Sequence, residues 1–204
     1  PYELPNTENH SFFFVDISII PRLQAKLHQH DAWELFYVTH REGTRIAGDT
    51  VEKFSAGDIV LMPPGMHHRW EFDPDSADQN GNVKYLMVAF SHSLVAVCME
   101  QFPELRNRMT GIKFPVNALK FGTASSRVMR AALIKMNEMN EMDRLCEMFR
   151  LLPAVFGSSD YIYVGKPMKI EKDVRRMQQI STYVMGHYVH TITLDEIASQ
   201  VGMN

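Results

Sequence analysis

The sequence has only two cysteines in 204 residues, Cys98 and Cys146, and this scarcity excludes a disulfide-stabilised scaffold. Neither cysteine belongs to a CxxC pair, so a zinc knuckle is not expected. Both lie in apolar stretches with helical spacing. We therefore expect them to be reduced core residues of a cytoplasmic protein.

Long apolar runs and an excess of basic charge are also missing. No stretch is long enough to span a membrane, and the first ten residues lack the apolar core of a signal peptide. The net charge is -3, which excludes a basic protein that coats nucleic acid. A local DNA-binding surface stays compatible with this value, because steering depends on the local field.

The first half of the chain predicts short β-strands, because runs rich in β-branched and aromatic residues alternate with turn residues. The predicted strands are Ser11–Ile20, Leu23–His30, Trp33–Thr39, Ile59–Pro63, Arg69–Phe72 and Val83–Ser91. Gly48 and Asp49 predict a tight hairpin turn. The run from Trp33 to Val38 is apolar on both faces, so its outer face needs cover. We expect that cover from the same chain in preference to a second subunit.

Helical spacing replaces this pattern after Ser91. A first helix includes Leu94 to Leu105, and a long second helix is predicted from Thr123 to Leu152, ended by Pro153. Residues 157–165 predict a loop, and a third helix is expected to begin near Pro167.

The last residues predict the first half of a helix-turn-helix. Thr193 and Glu196 have capping-box spacing, Leu194 and Val201 belong to the expected buried face, and Gly202 permits a tight turn. The residues assigned to this DNA-binding scaffold are Thr193, Leu194, Glu196, Ile197, Ala198 and Gly202. The base-reading helix is expected just after Asn204. A generic αα-hairpin is the alternative.

Two segments, Ile180–Tyr188 and Thr193–Met203, together resemble the start of the AraC-family DNA-binding domain. The first closes on a His-Tyr pair, and the second is a short leucine-alanine helix that ends in Gly-Met. The resemblance implies a bacterial transcription regulator that binds promoter DNA through the full-length protein. It also implies a homodimer formed by helices beside a sensor domain.

Histidines in the β half form a second pattern. His28, His30 and Glu34 form H-x-H-x-x-x-E, and the stretch from Gly57 to His68 forms G-x5-P-x-G-x-x-H. Both resemble the motifs of the cupin superfamily, although Phe72 stands where the second motif ends in Asn. In metal-binding cupins the matching positions hold one ion. Three histidines and a carboxylate suit Zn, Fe, Mn or Ni, and alternate strand residues share a face.

AraC-type sensor domains, however, often lack the metal and bind a small organic effector inside the barrel. On this hypothesis no cofactor is expected, and the metal is the alternative; a satisfied polar core without any ligand is a third interpretation. The predicted effector pocket consists of His28, His30, Glu34, Tyr37, His68 and Trp70.

A stripe of apolar side chains, rich in methionine, runs along the predicted second helix. Core packing explains such a stripe, but the resemblance to dimeric regulators favours a dimerisation helix. The residues assigned to dimerisation are Met136, Met139, Met142, Leu145 and Phe149.

Together these patterns predict an α+β protein with a cupin-like antiparallel β-barrel or jelly roll, connector helices and a partial helix-turn-helix. The predicted domains are an effector-sensing domain at 1–91, a helical connector at 92–165 and a truncated DNA-binding domain at 166–204. The predicted function is a ligand-responsive transcription regulator in the cytoplasm, with no catalytic residue and no membrane contact. The alternative is a cupin metalloenzyme of the dioxygenase or isomerase type that uses His28, His30, Glu34 and His68 as ligands.

Overall fold

Two antiparallel sheets organise the chain between residues 12 and 163 in the computed structural model. The structure describes residues 11–20, 26–73, 75, 77–112, 115–167, 180, 183–184, 192–200 and 202. The strands are β1 (Phe12–Ile19), β2 (Trp33–Val38), β3 (Gly43–Ala47), β4 (Thr50–Phe54), β5 (Ile59–Met62), β6 (His68–Phe72), β7 (Val83–Phe90), β8 (Leu119–Phe121) and β9 (Tyr161–Tyr163). A six-stranded sheet has the order β1-β7-β2-β5-β8-β9, and a three-stranded sheet has the order β4-β3-β6.

The helices follow β7 in the chain. They are α1 (His92–Gln101), α2 (Pro103–Arg106), α3 (Thr123–Asn137), α4 (Glu141–Phe156) and α5 (Leu194–Gln200). Strand β8 lies between α2 and α3, and β9 lies after α4. No described helix is long and apolar enough to cross a membrane. The chain divides into two compact units, Pro1–Pro167 and Met168–Asn204. The division into domains at 1–91, 92–165 and 166–204 stays a prediction.

Strand β2 shows how the first unit is layered, because successive side chains of a strand point to opposite faces. Phe36 and Val38 enter the barrel core, the apolar cluster between the two sheets. Trp33 and Leu35 enter the helix-side core, which the large sheet shares with α1, α3 and α4. The same chain therefore covers the outer face of β2, as expected. The predicted α+β class with an antiparallel, cupin-like barrel is confirmed.

The single helix predicted from Thr123 to Leu152 is wrong, because two helices occupy this stretch. Helix α3 ends at Asn137, and Asn140 begins α4 by accepting a hydrogen bond from the amide of Asp143. Both helices bury their apolar stripes in the same core, so the spacing continues across the break. Pro153 lies inside α4 and does not end it.

Other local predictions also need correction. Within the described part of the predicted strand Leu23–His30, only His28 pairs with another strand, in an isolated bridge to His68. Strand β9 lies in the segment predicted as a loop and pairs with β8. Cys98 is buried as expected, but Cys146 is exposed. The Gly48–Asp49 turn is confirmed, since it joins β3 to β4 and Gly48 has a φ of 56°.

In the second unit, the capping box and the terminal turn are confirmed. Glu196 accepts from the amide of Thr193 at 2.8 Å, and Thr193 Oγ1 accepts from the amide of Glu196 at 3.3 Å. Gly202 has a φ of 62°. Leu194, predicted as buried, is 84% exposed because nothing among the described residues covers it. The helix predicted from Pro167 and the buried Val201 lie largely outside the described residues.

Candidate binding site in the barrel

Three strand segments bring the predicted histidines and the glutamate together. Glu34 lies on the inner face of β2, and His68 begins β6. His28 pairs with His68 through two backbone hydrogen bonds of 2.8 and 3.1 Å, and the carbonyl of His30 accepts from Gly65. The four side chains offer ligand atoms that all lie within 4.8 Å of one another. We call this group the His-Glu cluster.

The Glu34 carboxylate is the centre of the His-Glu cluster. Its Oε2 lies 3.1 Å from Nε2 of His30 and 3.3 Å from Nε2 of His68. Glu34 and His68 are buried, whereas His28 and His30 are half-buried. The carboxylate therefore lies at the more buried side of the cluster, and His28 and His30 lie at its less buried side.

Burial and charge act in opposite directions on these groups. Burial raises the pKa of Glu34, but the positive charge of His68 and the hydrogen bonds from His30 and His68 outweigh it, so the pKa lies well below its usual range. Burial lowers the pKa of His68, but attraction by Glu34 outweighs this and raises it. Burial and the charge of His68 lower the pKa of His28. The cluster thus holds a carboxylate beside a readily protonated imidazole.

The orientation of two imidazoles also fits metal binding. Nδ1 of His28 lies 2.8 Å from the carbonyl of Lys26, and Nδ1 of His68 lies 2.8 Å from that of Met66. A proton on each Nδ1 places the lone pair of the ring on Nε2, the arrangement that is usual for metal-bound histidines. Nδ1 of His30 is buried and has no hydrogen bond among the described residues. The donor set therefore fits one divalent ion.

The two other residues predicted for the pocket, Trp70 and Tyr37, lie in different cores. Trp70 lies on the same face of β6 as His68 and belongs to the barrel core, where its ring stacks on Phe36 at 3.8 Å. Tyr37 belongs to the helix-side core. Because Tyr37 is three positions from Glu34, it points to the opposite face of β2, and the structure does not bring it to the pocket.

Sequence reasoning missed Arg45. This arginine lies in the middle of β3 and faces the barrel core, with 1% of its surface exposed. One local feature indicates its position: Arg45 alternates with Gly43 and Ala47, two small residues typical of a crowded inner face.

The residues predicted for dimerisation do not form one exposed surface. Met136 is fully buried, and Met139 and Phe149 pack against the helix-side core. Leu145 is half-buried, and Met142 is 67% exposed. The dimer itself stays a prediction, and Met136 is too deeply buried to contact a second subunit directly.

Comparison with known proteins supplies a family. The model of the AraC-like ligand binding domain matches residues 21–139. No curated protein matches the sequence.

Three solved structures are similar at low identity. Apo ToxT from Vibrio cholerae is 12% identical over 96% of this chain and 72% of its own, with a TM-score of 0.48. The AraC-like transcriptional activator CuxR is 10% identical over 86% of this chain and 58% of its own, with a TM-score of 0.44. A Cupin 2 conserved barrel domain protein from Salinispora arenicola is 20% identical over 48% and 78%, with a TM-score of 0.36. These values are too low to support an argument about function.

Proposed function

This chain belongs to the family of AraC-like ligand-binding domains, and from this membership we propose that it is the sensing part of a ligand-responsive, DNA-binding transcription regulator. The observation that carries the proposal is the His-Glu cluster. The family match includes all four of its residues, and they converge at the edge of the largely apolar barrel core. A few convergent polar groups in an apolar enclosure are typical of a small-molecule site.

A route for the signal begins at the same strands. The turn after β3 holds the segment that leaves the first unit: the amide of Asp49 donates to the carbonyl of Lys166, and the amide of Lys166 donates to the Asp49 carboxylate, both at 3.0 Å. We call this pair of hydrogen bonds the exit clamp. Since β3 pairs with β6 through Ala47 and His68, a ligand at the cluster can alter the clamp. The coupling requires a different ligand affinity in each arrangement.

The regulator hypothesis is tested with the full-length protein and DNA from upstream of its own gene. We expect an effector found by thermal shift to change DNA affinity, measured by fluorescence anisotropy. Glu34→Gln removes the central charge and should weaken the effector response by about tenfold or more, because a buried charged partner is lost. Glu71→Gln is the matched control, since Glu71 is an exposed residue of β6. DNA binding that ignores every bound effector would reject the hypothesis.

A metal-dependent enzyme is the second candidate, and the anchored Nδ1 atoms of His28 and His68 favour it. A divalent ion held by the His-Glu cluster would supply Lewis-acid chemistry. Elemental mass spectrometry of protein purified without added metal tests this. About one equivalent of Zn, Fe, Mn or Ni, lost in His68→Asn but not in His67→Asn, would support a metal site. A metal-free protein that gains no thermal stability from any of the four ions would reject it.

We also propose a homodimer, as operator half-sites require two DNA-binding domains at fixed spacing. Exposed apolar side chains on α3 and α4, which together we call the helical hairpin, support it. They are Met142, Val128 and Ile134, with 67%, 57% and 50% of their surfaces exposed. Effector, promoter DNA and second subunit are thus the proposed partners.

A further inference from the structure

A buried guanidinium lies in the layer of the barrel next to the His-Glu cluster. Arg45 faces inward from the middle of β3, opposite Glu52 of β4 and Trp70 of β6. Only 1% of Arg45 is exposed. An arginine is rarely buried this deeply unless its charge and its donors have partners.

The partners present satisfy only part of the guanidinium. Nη2 donates to Oε2 of Glu52 at 2.7 Å, and Cζ lies 5.3 Å from the centre of the Trp70 ring. Nη1 of Arg45 is buried and makes no hydrogen bond with any residue that the structure describes, and the same holds for Nε1 of Trp70. Two neighbouring residues thus present donors without acceptors, which is costly in a folded interior and calls for an acceptor.

The register connects these donors to the His-Glu cluster. Ala47 pairs with His68, and two residues along the same strands Arg45 pairs with Trp70. Two residues correspond to about 7 Å of strand. Phe36, two positions from Glu34 on β2, stacks on Trp70. The interior therefore has a polar cluster in one layer, and a guanidinium, an indole N–H and aromatic rings in the next.

We propose that the ligand of the barrel is a small organic acid whose carboxylate accepts hydrogen bonds from Nη1 of Arg45 and Nε1 of Trp70. This inference rests on the proposed function, since it names the ligand class of the same interior. Donors without acceptors select an acceptor-only group, and a guanidinium selects one with negative charge. Glu52 has 37% of its side chain exposed and is free to turn toward solvent when the ligand arrives.

The experiment is a thermal-shift and calorimetric comparison on the 204-residue chain. The probes are benzoate, phenylacetate and hexanoate, each against its neutral amide, together with inorganic phosphate. We expect at least one acid to bind, and its amide to bind at least about tenfold more weakly. Arg45→Met should weaken binding of the acid by about ten- to a hundredfold, because a charged hydrogen bond in a buried site is lost. Glu52→Gln, which removes the competing carboxylate, should leave the affinity unchanged or increase it.

Circular dichroism establishes whether each variant folds. If Arg45→Met does not fold, Trp70→Phe is the second variant, since it removes the Nε1 donor but keeps an aromatic ring. It should weaken binding of the acid about fivefold or more. Several outcomes overturn the proposal: amides that bind as well as acids, a preference for phosphate, acid binding that both variants leave unchanged, or no binding by any acid.

The failure of this proposal is distinct from failure of the regulator hypothesis. A neutral effector that binds and changes DNA affinity would overturn the proposal of an acidic ligand but would agree with the regulator hypothesis. An acid that binds through Arg45 but leaves DNA affinity unchanged would support the acid and count against the regulator.

Discussion

The exit clamp gives the sharpest test of how the first unit is built, through the substitution Gly165→Ala. Gly165 has a φ of 90°, and a Cβ added there would lie 2.2 Å from the carbonyl oxygen of Ala47. Backbone atoms cannot give way as a flexible side chain does, so residues 165 and 166 must move. That movement breaks the two hydrogen bonds between Asp49 and Lys166.

Gly57→Ala is a matched control, because Gly57 has a nearly equal φ of 95° and an added Cβ would meet nothing within 4 Å. The left-handed backbone costs alanine about 1–2 kcal/mol in both variants, partly offset by the lower entropy of the unfolded chain. Only Gly165→Ala also loses the clamp, at about 1 kcal/mol for each hydrogen bond. We therefore expect an excess loss of about 2 kcal/mol in the free energy of unfolding, or roughly 4–8 °C in Tm for a chain of this size.

Chemical denaturation followed by circular dichroism measures the free energy, and amide hydrogen exchange at Asp49 reports the clamp directly. Protection of that amide should fall in Gly165→Ala and persist in Gly57→Ala. Equal destabilisation of the two variants, with the Asp49 amide still protected in both, would refute the clamp.

Three further predictions concern the helices and the His-Glu cluster. Leu133→Ala should lower the free energy of unfolding by about 2–5 kcal/mol, because Leu133 is fully buried in the helix-side core. The neighbouring Ile134 is half exposed, so Ile134→Ala should lower it by less than about 1 kcal/mol. Equal losses in the two variants would contradict the assigned helix face. Met142→Asp should convert a dimer into a monomer in light scattering, whereas Val116→Asp, exposed outside the hairpin, should not; an unchanged mass for Met142→Asp would reject the hairpin surface. Chelation should lower the Tm of the wild type if the cluster holds a metal, and the same treatment should leave His68→Asn unchanged; equal shifts would place the metal elsewhere.

Much of the fold was predictable because burial of one face makes apolar residues repeat at regular intervals along strands and helices. The alternation in β2 predicted a strand that is apolar on both faces, and the structure shows a core on each side. The same alternation should have removed Tyr37 from the pocket, since it and Glu34 are an odd number of positions apart. Tyr37 resembles the pocket residues in its polar group but lies on the other face of β2.

Breaks between elements were harder to predict than the elements themselves. The spacing of apolar residues runs through the gap between α3 and α4 because both helices pack on one core, so periodicity alone hides the turn. Asn140 was the local indication, because asparagine is a favoured N-cap. Strand β9 is only three residues long, and its pairing with β8 depends on a contact far along the chain.

Arg45 marks the limit of sequence reasoning for the site. In a short strand an arginine is most often a solvent-exposed residue, and only its alternation with Gly43 and Ala47 indicates the interior. Its role depends on pairing with Glu52 on one side and with Trp70 on the other, which only the three-stranded sheet creates. The histidine motif, by contrast, was predictable from its resemblance to the cupin motifs, and the structure brings its four residues together.

The two layers of the interior are chemically complementary, and this decides how the rival hypotheses should be separated. Without a metal, the charges of Glu34 and His68 balance, as do those of Arg45 and Glu52, so a bound acid adds a net negative charge unless a proton or cation accompanies it. A divalent ion in the His-Glu cluster would displace the proton of His68, leave the cluster with one net positive charge and so balance the charge of the acid. Acid affinity should therefore rise when the cluster is metallated and should be independent of chelation when it is not. Measuring the affinity of one acid with and without chelator thus tests whether the two layers act as one site.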